Sequence, residues 1–253
     1  MLELFESVTI ENIEKLFSRK VVRKDLSEII VILSMILYTM IFSYNTILKY
    51  HSFRTYAWDL GIFSQSLWTT LYEGKLFYNT VELFIIPSGS FFGSHFSPIL
   101  FLVLPVYALH STPETLLVFQ SFILALGSVP LYLLTRDTLK SRVAGVVFVL
   151  AYLLYPPLHG VNWFDFHVQA FLPVLFFCTM YFMNKEKWLP YFFFVFLALS
   201  VAENVPVVVV FIGIYGLWLF RKQAVKTLRQ RTLQDKRILI PLLTVIIAVF
   251  WRF

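Results

Sequence analysis

Thiols and charge are both scarce in this chain. A single cysteine, Cys178, stands in 253 residues, inside the apolar run Phe171–Met183, where a lone thiol behaves as a small hydrophobe. That excludes an internal disulfide framework and any cysteine-pair metal motif. Charged residues make up 14% of the chain against a hydrophobic fraction of 58%. A soluble domain carries about 25% charged residues, so there is too little polar surface here for a soluble globule. Acidic residues are outnumbered 15 to 21 by Lys and Arg, for a net charge of +6. The basic residues sit beside apolar runs, so their excess reads as membrane topology and no nucleic-acid partner is expected. Membrane lipids are the expected partners, and the 28 Phe and 13 Tyr suit lipid-facing helices and interfacial belts.

Residues 1–25 are not expected to act as a cleavable leader, because they are polar, mixed in charge and without an early apolar core or a small-residue cleavage site. Leu2, Phe5, Ile10, Ile13, Leu16 and Phe17 fit an amphipathic helix lying on the membrane; a plain cytosolic lead-in fits equally. The expected organisation is a cytoplasmic N-terminal amphipathic segment, 1–25, followed by a transmembrane domain, 26–253.

A helix needs about 20 apolar residues to cross a bilayer. Leu26 to about Leu48 meets that length. Phe96–Leu109 is short and holds Pro98 and Pro105. Further runs follow at Thr115–Thr135, Val143–Leu158, Val168–Met183, Trp188–Val201, Val205–Phe220 and Ile238–Trp251. Several are short, so their flanks must help to span or the bilayer must thin. The last run stops abruptly near Phe253, as expected of a span cut short.

Orientation follows from Lys and Arg. Clusters stand at Arg19–Lys24, Arg136–Arg142, Lys185–Lys187 and Arg221–Arg237. All four are cytoplasmic only if Phe96–Leu109 does not cross, so that segment is expected to be re-entrant or interfacial on the outer side. The expected fold is an all-α polytopic helix bundle of the cell membrane, with about seven spans, the N-terminus inside and surface helices in the outer first loop. On this topology 17 of the 21 Lys and Arg are cytoplasmic, and all five His fall outside. The histidines read either as interfacial enrichment or as a polar site on the outer face.

The outer segment Lys49–Pro113 is the most informative. In Tyr56-Ala-Trp-Asp59-Leu-Gly-Ile-Phe-Ser-Gln-Ser-Leu-Trp68, the residues Leu60, Phe63, Leu67 and Leu71 recur at helical spacing, which suits an amphipathic surface helix. Asp59 falls where its N-cap or first turn would be, so capping is the plain alternative to a functional role. A Gly- and Ser-rich loop leads to His95, and Pro98 is expected to open the short helix. Asn162-Trp-Phe-Asp165-Phe-His167 and Ala202-Glu203-Asn204 fall at the same face. Carboxylates beside apolar spans are costly and mark functional sites. Asp59, His95, Asp165, His167 and Glu203 are therefore expected to converge on one outer cavity. Carboxylates and imidazoles together can act as acid and base or hold a divalent metal, with Asp59, Asp165 and His167 as the candidate ligands.

Tyr56-Ala-Trp-Asp59-Leu-Gly-Ile-Phe, His95-Phe-Ser-Pro98-Ile-Leu, Pro130-Leu-Tyr-Leu-Leu, Leu154-Tyr-Pro-Pro and Asp165-Phe-His167 together resemble an uncharacterised family of prokaryotic membrane proteins, domain of unknown function 2079, over roughly 55–219. At the turn before residue 205 that family leads one to expect Lys-Glu-Asp; this chain has Ala202-Glu203-Asn204 and keeps the glutamate only. The family in turn resembles the C-type (GT-C) glycosyltransferases. The resemblance implies transfer of a sugar from a polyprenyl-phosphate donor at the outer face. It implies Asp59 as the first-loop catalytic carboxylate and Asp165 as the second acidic position. Arg54, His95, His167 and Glu203 are then the substrate-binding candidates. The readings that compete with a transferase are a transporter or flippase, since intramembrane Asp, Glu and His also make ion paths, and an assembly subunit without chemistry.

Overall fold

A computed structural model describes residues 19–222 and 235–251, with side chains from Leu26 onward. The expected amphipathic segment lies outside the described residues over 1–18, as does most of the largest basic cluster, over 223–234. The described chain is helical, and it forms no β-sheet beyond one isolated bridge between Tyr78 and Ser90. The helices are α1 (Arg19–His51), α2 (Ile62–Glu73), α3 (Leu100–Leu109), α4 (Pro113–Leu126) and α5 (Ser128–Leu139). They continue with α6 (Arg142–Leu153), α7 (Pro156–Phe164), α8 (Leu172–Asn184), α9 (Trp188–Leu199), α10 (Val205–Leu219) and α11 (Lys236–Trp251).

Local chemistry sets the breaks. Pro113 opens α4 at a position where a missing N–H costs nothing. Lys140 ends α5 in the left-handed region, and Ser141 Oγ then accepts a hydrogen bond from Ala144 N at 3.2 Å to cap α6. The stretch 143–158, expected as one run, bends by 46° between α6 and α7. The cause is Pro156 and Pro157, which lack the N–H groups that would bond the carbonyls of Tyr152 and Leu153. His159 Nε2 meets the Leu153 carbonyl at 2.6 Å instead. That places His159 inside the bundle, 4.9 Å from the Phe42 ring, and not at the outer face expected for all five histidines.

α1 packs along α4 and α6, α5 against α6 and α8, α8 against α9, and α10 against α11. One core cluster joins α1, α4, α5 and α6 through residues such as Val31, Tyr38, Leu124 and Val149. A larger one runs from the 60–107 segment through α8–α11. Outward, α1 carries Leu33, Leu37 and Met40 at more than half exposure. An apolar face of that extent is untenable in water and natural in lipid.

Among the described residues two helices, Leu26–His51 and Pro113–Leu139, are long and apolar enough to cross a membrane, or three if the bent α6–α7 pair forms one span. The expected count of seven full spans is not met by helix length. α9 has 12 residues and α11 has 16, which at about 1.5 Å per residue reach less far than a hydrocarbon core of about 30 Å. α3 has 10 residues with Pro105 inside. Both its flanks are tied to the same end of the bundle: Ile99 N donates to Ser200 O at 3.0 Å, and Ser111 Oγ meets Tyr72 OH of α2 at 2.8 Å.

The other end is laced by ion pairs. Arg136 reaches Glu28 at 3.9 Å and Asp137 at 2.8 Å, Lys185 meets Asp137 at 2.5 Å, and Arg237 meets Glu186 at 2.9 Å. The start of α1, the end of α5, the α8–α9 turn and the start of α11 therefore gather at one end. If that end is cytoplasmic, as basic residues prefer, Ser88→Cys and Asn204→Cys in a Cys178→Ala background will react with an impermeant thiol reagent on intact cells. Thr138→Cys will react only after permeabilisation; its labelling from outside would reverse the orientation. Asn162, expected in an outer loop, is unsuited to such labelling because it is fully buried in α7.

α10 and α11 approach closely at Gly213. A Cβ there would lie 2.6 Å from Val245 Cγ2 and 2.9 Å from the Pro241 carbonyl oxygen. The second neighbour is backbone and cannot rotate away. Gly213→Ala is expected to cost about 1–3 kcal/mol by overpacking, read as a lower melting temperature in detergent. An unchanged melting temperature would show that the two helices are free to separate.

Candidate functional site

The site is built from the C-terminal end of α7 upward. Lys49, near the end of α1, is buried, and its Nζ donates to the carbonyls of Trp163 (3.0 Å) and Phe164 and to Asp165 Oδ1 (2.9 Å). A cation thus caps the orphan carbonyls of α7. Asp165 is 1% exposed, and its Oδ2 accepts from Tyr56 N at 2.8 Å. Gln120 of α4 latches the same bend, donating from Nε2 to Asp165 O at 2.8 Å and accepting at Oε1 from His167 N at 2.7 Å. Asp165 therefore joins α1, α7 and the entry to α2. Its carboxylate is turned toward Lys49 and Tyr56 and does not line the cavity described next, which corrects the expected convergence. Lys49, expected as an outer cation, is the buried partner of this clamp.

The clamp holds Tyr56 at the start of a π-helical turn, Ala57–Gly61, that leads into α2. Such turns recur at functional sites. Asp59 lies in the first turn of this element, as expected, while Tyr56 holds the N-cap position without a side-chain cap hydrogen bond. Asp59 Oδ1 faces His167 Nε2 at 3.2 Å, both side chains about a quarter exposed. His167 is fixed in turn by its backbone bond to Gln120 and by Nδ1 lying 3.2 Å from Asp165 O.

The segment 79–98 forms the facing wall. Asn79 Oδ1 accepts from Glu82 N at 2.8 Å and Asn79 Nδ2 donates to Ser66 Oγ at 3.1 Å. Glu82, 3% exposed, accepts a hydrogen bond from Ser94 Oγ. Ser90 Oγ caps the one-turn helix Phe91–Ser94, and His95 ends it. Pro98 starts the turn that leads into α3, its carbonyl accepting from Phe101 N at 3.0 Å, as expected of a residue that opens the helix. His95 Nδ1 meets Glu203 Oε1 at 3.0 Å, joining this loop to the α9–α10 turn.

Asp59, Glu82, His95, His167 and Glu203 line one cavity of about 480 Å³ over an apolar floor that includes Ile62, Phe63 and Phe91. Two carboxylate–imidazole pairs, Asp59–His167 and Glu203–His95, thus face a shared space together with a buried carboxylate. Each pair can take or give a proton. No Lys or Arg lines the cavity. Arg54, expected among the substrate-binding residues, is exposed and outside the lining. Among the described residues, no three His, Cys, Asp or Glu side chains form a metal-binding group. In particular Asp59, Asp165 and His167 do not, because the oxygens of Asp165 are committed to Lys49 and Tyr56 N. Glu82 went unnoticed in the sequence, although a lone carboxylate in the apolar run 81–86 was a signal of a buried functional group.

Partial burial pushes the Glu203 carboxyl up, but the hydrogen bond from His95, its own backbone N–H and the imidazole charge outweigh that and hold it below its ordinary 4.5. A lowered folded-state pKa means that stability is present above the unfolded pKa and lost as pH falls through the folded one. The melting-temperature gap between wild type and Glu203→Gln is therefore expected to hold down to about pH 5 and to close at lower pH. A gap unchanged at pH 3 would assign it to something other than the ionised carboxylate.

A family model described as a predicted membrane protein (DUF2079) matches residues 49–253. No curated protein and no solved structure matches the chain.

Proposed function

We propose, from the premise that the chain belongs to the DUF2079 family of predicted membrane proteins, that it is a membrane glycosyltransferase using a lipid-phosphate-linked sugar at the cavity end of the bundle. The observation that carries this reading is the Asp59–His167 pair on a π-helical turn, facing a cavity of about 480 Å³. That volume is in the range of small-molecule sites. It opens beside α2, whose mixed polar and apolar faces suit the membrane surface, where a lipid-borne donor is met. The outer first loop that carries Asp59 also resembles that of the C-type glycosyltransferases.

In this reading Asp59 is the catalytic base. Its carboxylate takes the proton from an acceptor hydroxyl, the acceptor oxygen bonds to the anomeric carbon, and the bond from that carbon to the phosphate oxygen breaks. The lipid phosphate leaves with the electron pair. His95 and His167 are the only side chains in the lining able to carry positive charge toward that phosphate. Glu82 and Glu203 are placed to bond sugar hydroxyls. Asp165 serves as a positioning residue, since its contacts hold the turn that carries Asp59.

The test is transfer of radiolabel from polyprenyl-phosphate sugars by purified full-length protein in proteoliposomes. Saturable transfer to an acceptor is expected. Movement of intact donor across the bilayer without transfer would replace the transferase reading with a flippase.

A further inference from the structure

On the opposite side of the π-helical turn from the acidic cavity lies a second cleft, of about 550 Å³. Trp58, Asp59 and Ile62 face the first cavity, whereas Ala57, Leu60, Gly61 and Ser64 face the second. One turn of chain is thus the wall between two sites. We infer that this second cleft binds a neutral saccharide, a reading that stands independently of the transferase proposal.

The lining chemistry carries the inference. Among the described residues no Asp, Glu, Lys or Arg contributes to it, so an ionic ligand has no counter-charge there. Tyr50, Tyr56 and Trp68 contribute aromatic rings, and Tyr56 and Trp68 are 59% and 43% exposed. Exposed rings offer flat apolar faces with a polar edge, which match the C–H faces of a pyranose. Between them stand hydroxyls and an amide: Ser64, Ser111, Tyr107 and Gln65. Gln65 is held for this role. Its Oε1 accepts from both Thr80 N and Thr80 Oγ1 at 3.0 Å, which turns the amide and leaves Nε2 without a hydrogen bond among the described residues. The Ser64 and Tyr107 hydroxyls bond each other at 2.9 Å, and each oxygen retains acceptor capacity for a sugar hydroxyl. Tyr56 is braced from behind by the Phe164 ring at 6.0 Å and by Lys49 Nζ at 5.8 Å from its centroid, so its orientation is set before any ligand arrives.

Full-length protein in nanodiscs, titrated with maltotetraose, mannotetraose and chitotetraose and with tetragalacturonate as the charged control, tests this by calorimetry and tryptophan fluorescence. Saturable binding of at least one neutral tetrasaccharide is expected, with none for the charged one. Trp68→Phe should keep binding and lose most of the fluorescence change. Trp68→Ala and Gln65→Leu should each weaken it by about tenfold or more, the loss of one stacked ring or one paired amide. The inference fails if no neutral tetrasaccharide binds or if binding survives Trp68→Ala. It also fails if brominated lipid quenches Trp68 and saccharide does not, which would make the cleft an interfacial lipid contact. Binding without transfer in the radiolabel assay would sink the transferase reading and leave the saccharide site standing; transfer without cleft binding would do the reverse.

Discussion

Replacing Lys49 by Met is expected to destabilise the protein more than any other single change considered above, by about 3–5 kcal/mol. The ammonium is buried, and it serves two backbone carbonyls and the Asp165 carboxylate. Removing it leaves the carboxylate charged and desolvated, with Tyr56 N as its one remaining hydrogen-bond donor. Breaking a buried pair from one side is costly for that reason, whereas removing both charges is far less so. Lys49→Met/Asp165→Leu should therefore recover much of the loss, and a double-mutant cycle on melting temperature in detergent reads the coupling. Additive effects would mean that the pair is solvated and that Asp165 is not the clamp. The clamp also predicts a functional signature: because Asp165 holds the turn that carries Asp59 through Tyr56 N, variants here should lower the rate per folded molecule as well as the amount of folded protein.

The largest effect on activity is expected from Asp59→Asn. The amide keeps the shape and a contact to His167 but cannot accept a proton, so transfer should fall by about 10²–10⁴-fold, the usual contribution of a positioned acid–base group. Stability should change little, because Asp59 is partly exposed and the pair with His167 is solvated. Rate and melting temperature measured on the same preparation separate the two roles. A variant that melts early but retains its rate per folded molecule would make Asp59 a structural residue of the turn. His167→Gln should behave like a milder Asp59→Asn, since it orients the carboxylate without receiving the proton.

The functional end of this molecule was partly legible from the order of its residues. Asp59, His95, His167 and Glu203 are separated by up to 144 positions, yet each stands beside an apolar run whose direction the basic residues indicate. Parity alone brought them to one end. Which of them touch was not legible. The pairs Asp59–His167 and His95–Glu203 depend on the rotational phase of helices joined through long loops, and no local periodicity encodes that phase. Asp165 shows the cost of the missing information. By position it equals Asp59 as a candidate, but the carbonyls at the end of α7 recruit Lys49, and Lys49 then recruits the carboxylate inward. Arg54 shows the converse: five residues from Asp59 in sequence, it is exposed and outside the cavity lining.

Composition and pattern are enough to decide that this chain is helical and belongs in a membrane, and they lead one to expect that the short, proline-bearing α3 does not cross it. Those conclusions rest on sums over many residues, namely transfer of apolar surface, the length of a bilayer and the missing N–H groups of proline. They survive any error in a single contact. The tertiary structure alone decided the division of the polar residues into a buried clamp and an open cavity. That division turns on ion pairs and hydrogen bonds between positions a hundred or more apart, as between Lys49 and Asp165. The strength of such a bond is set by burial, a property that no single stretch of sequence possesses.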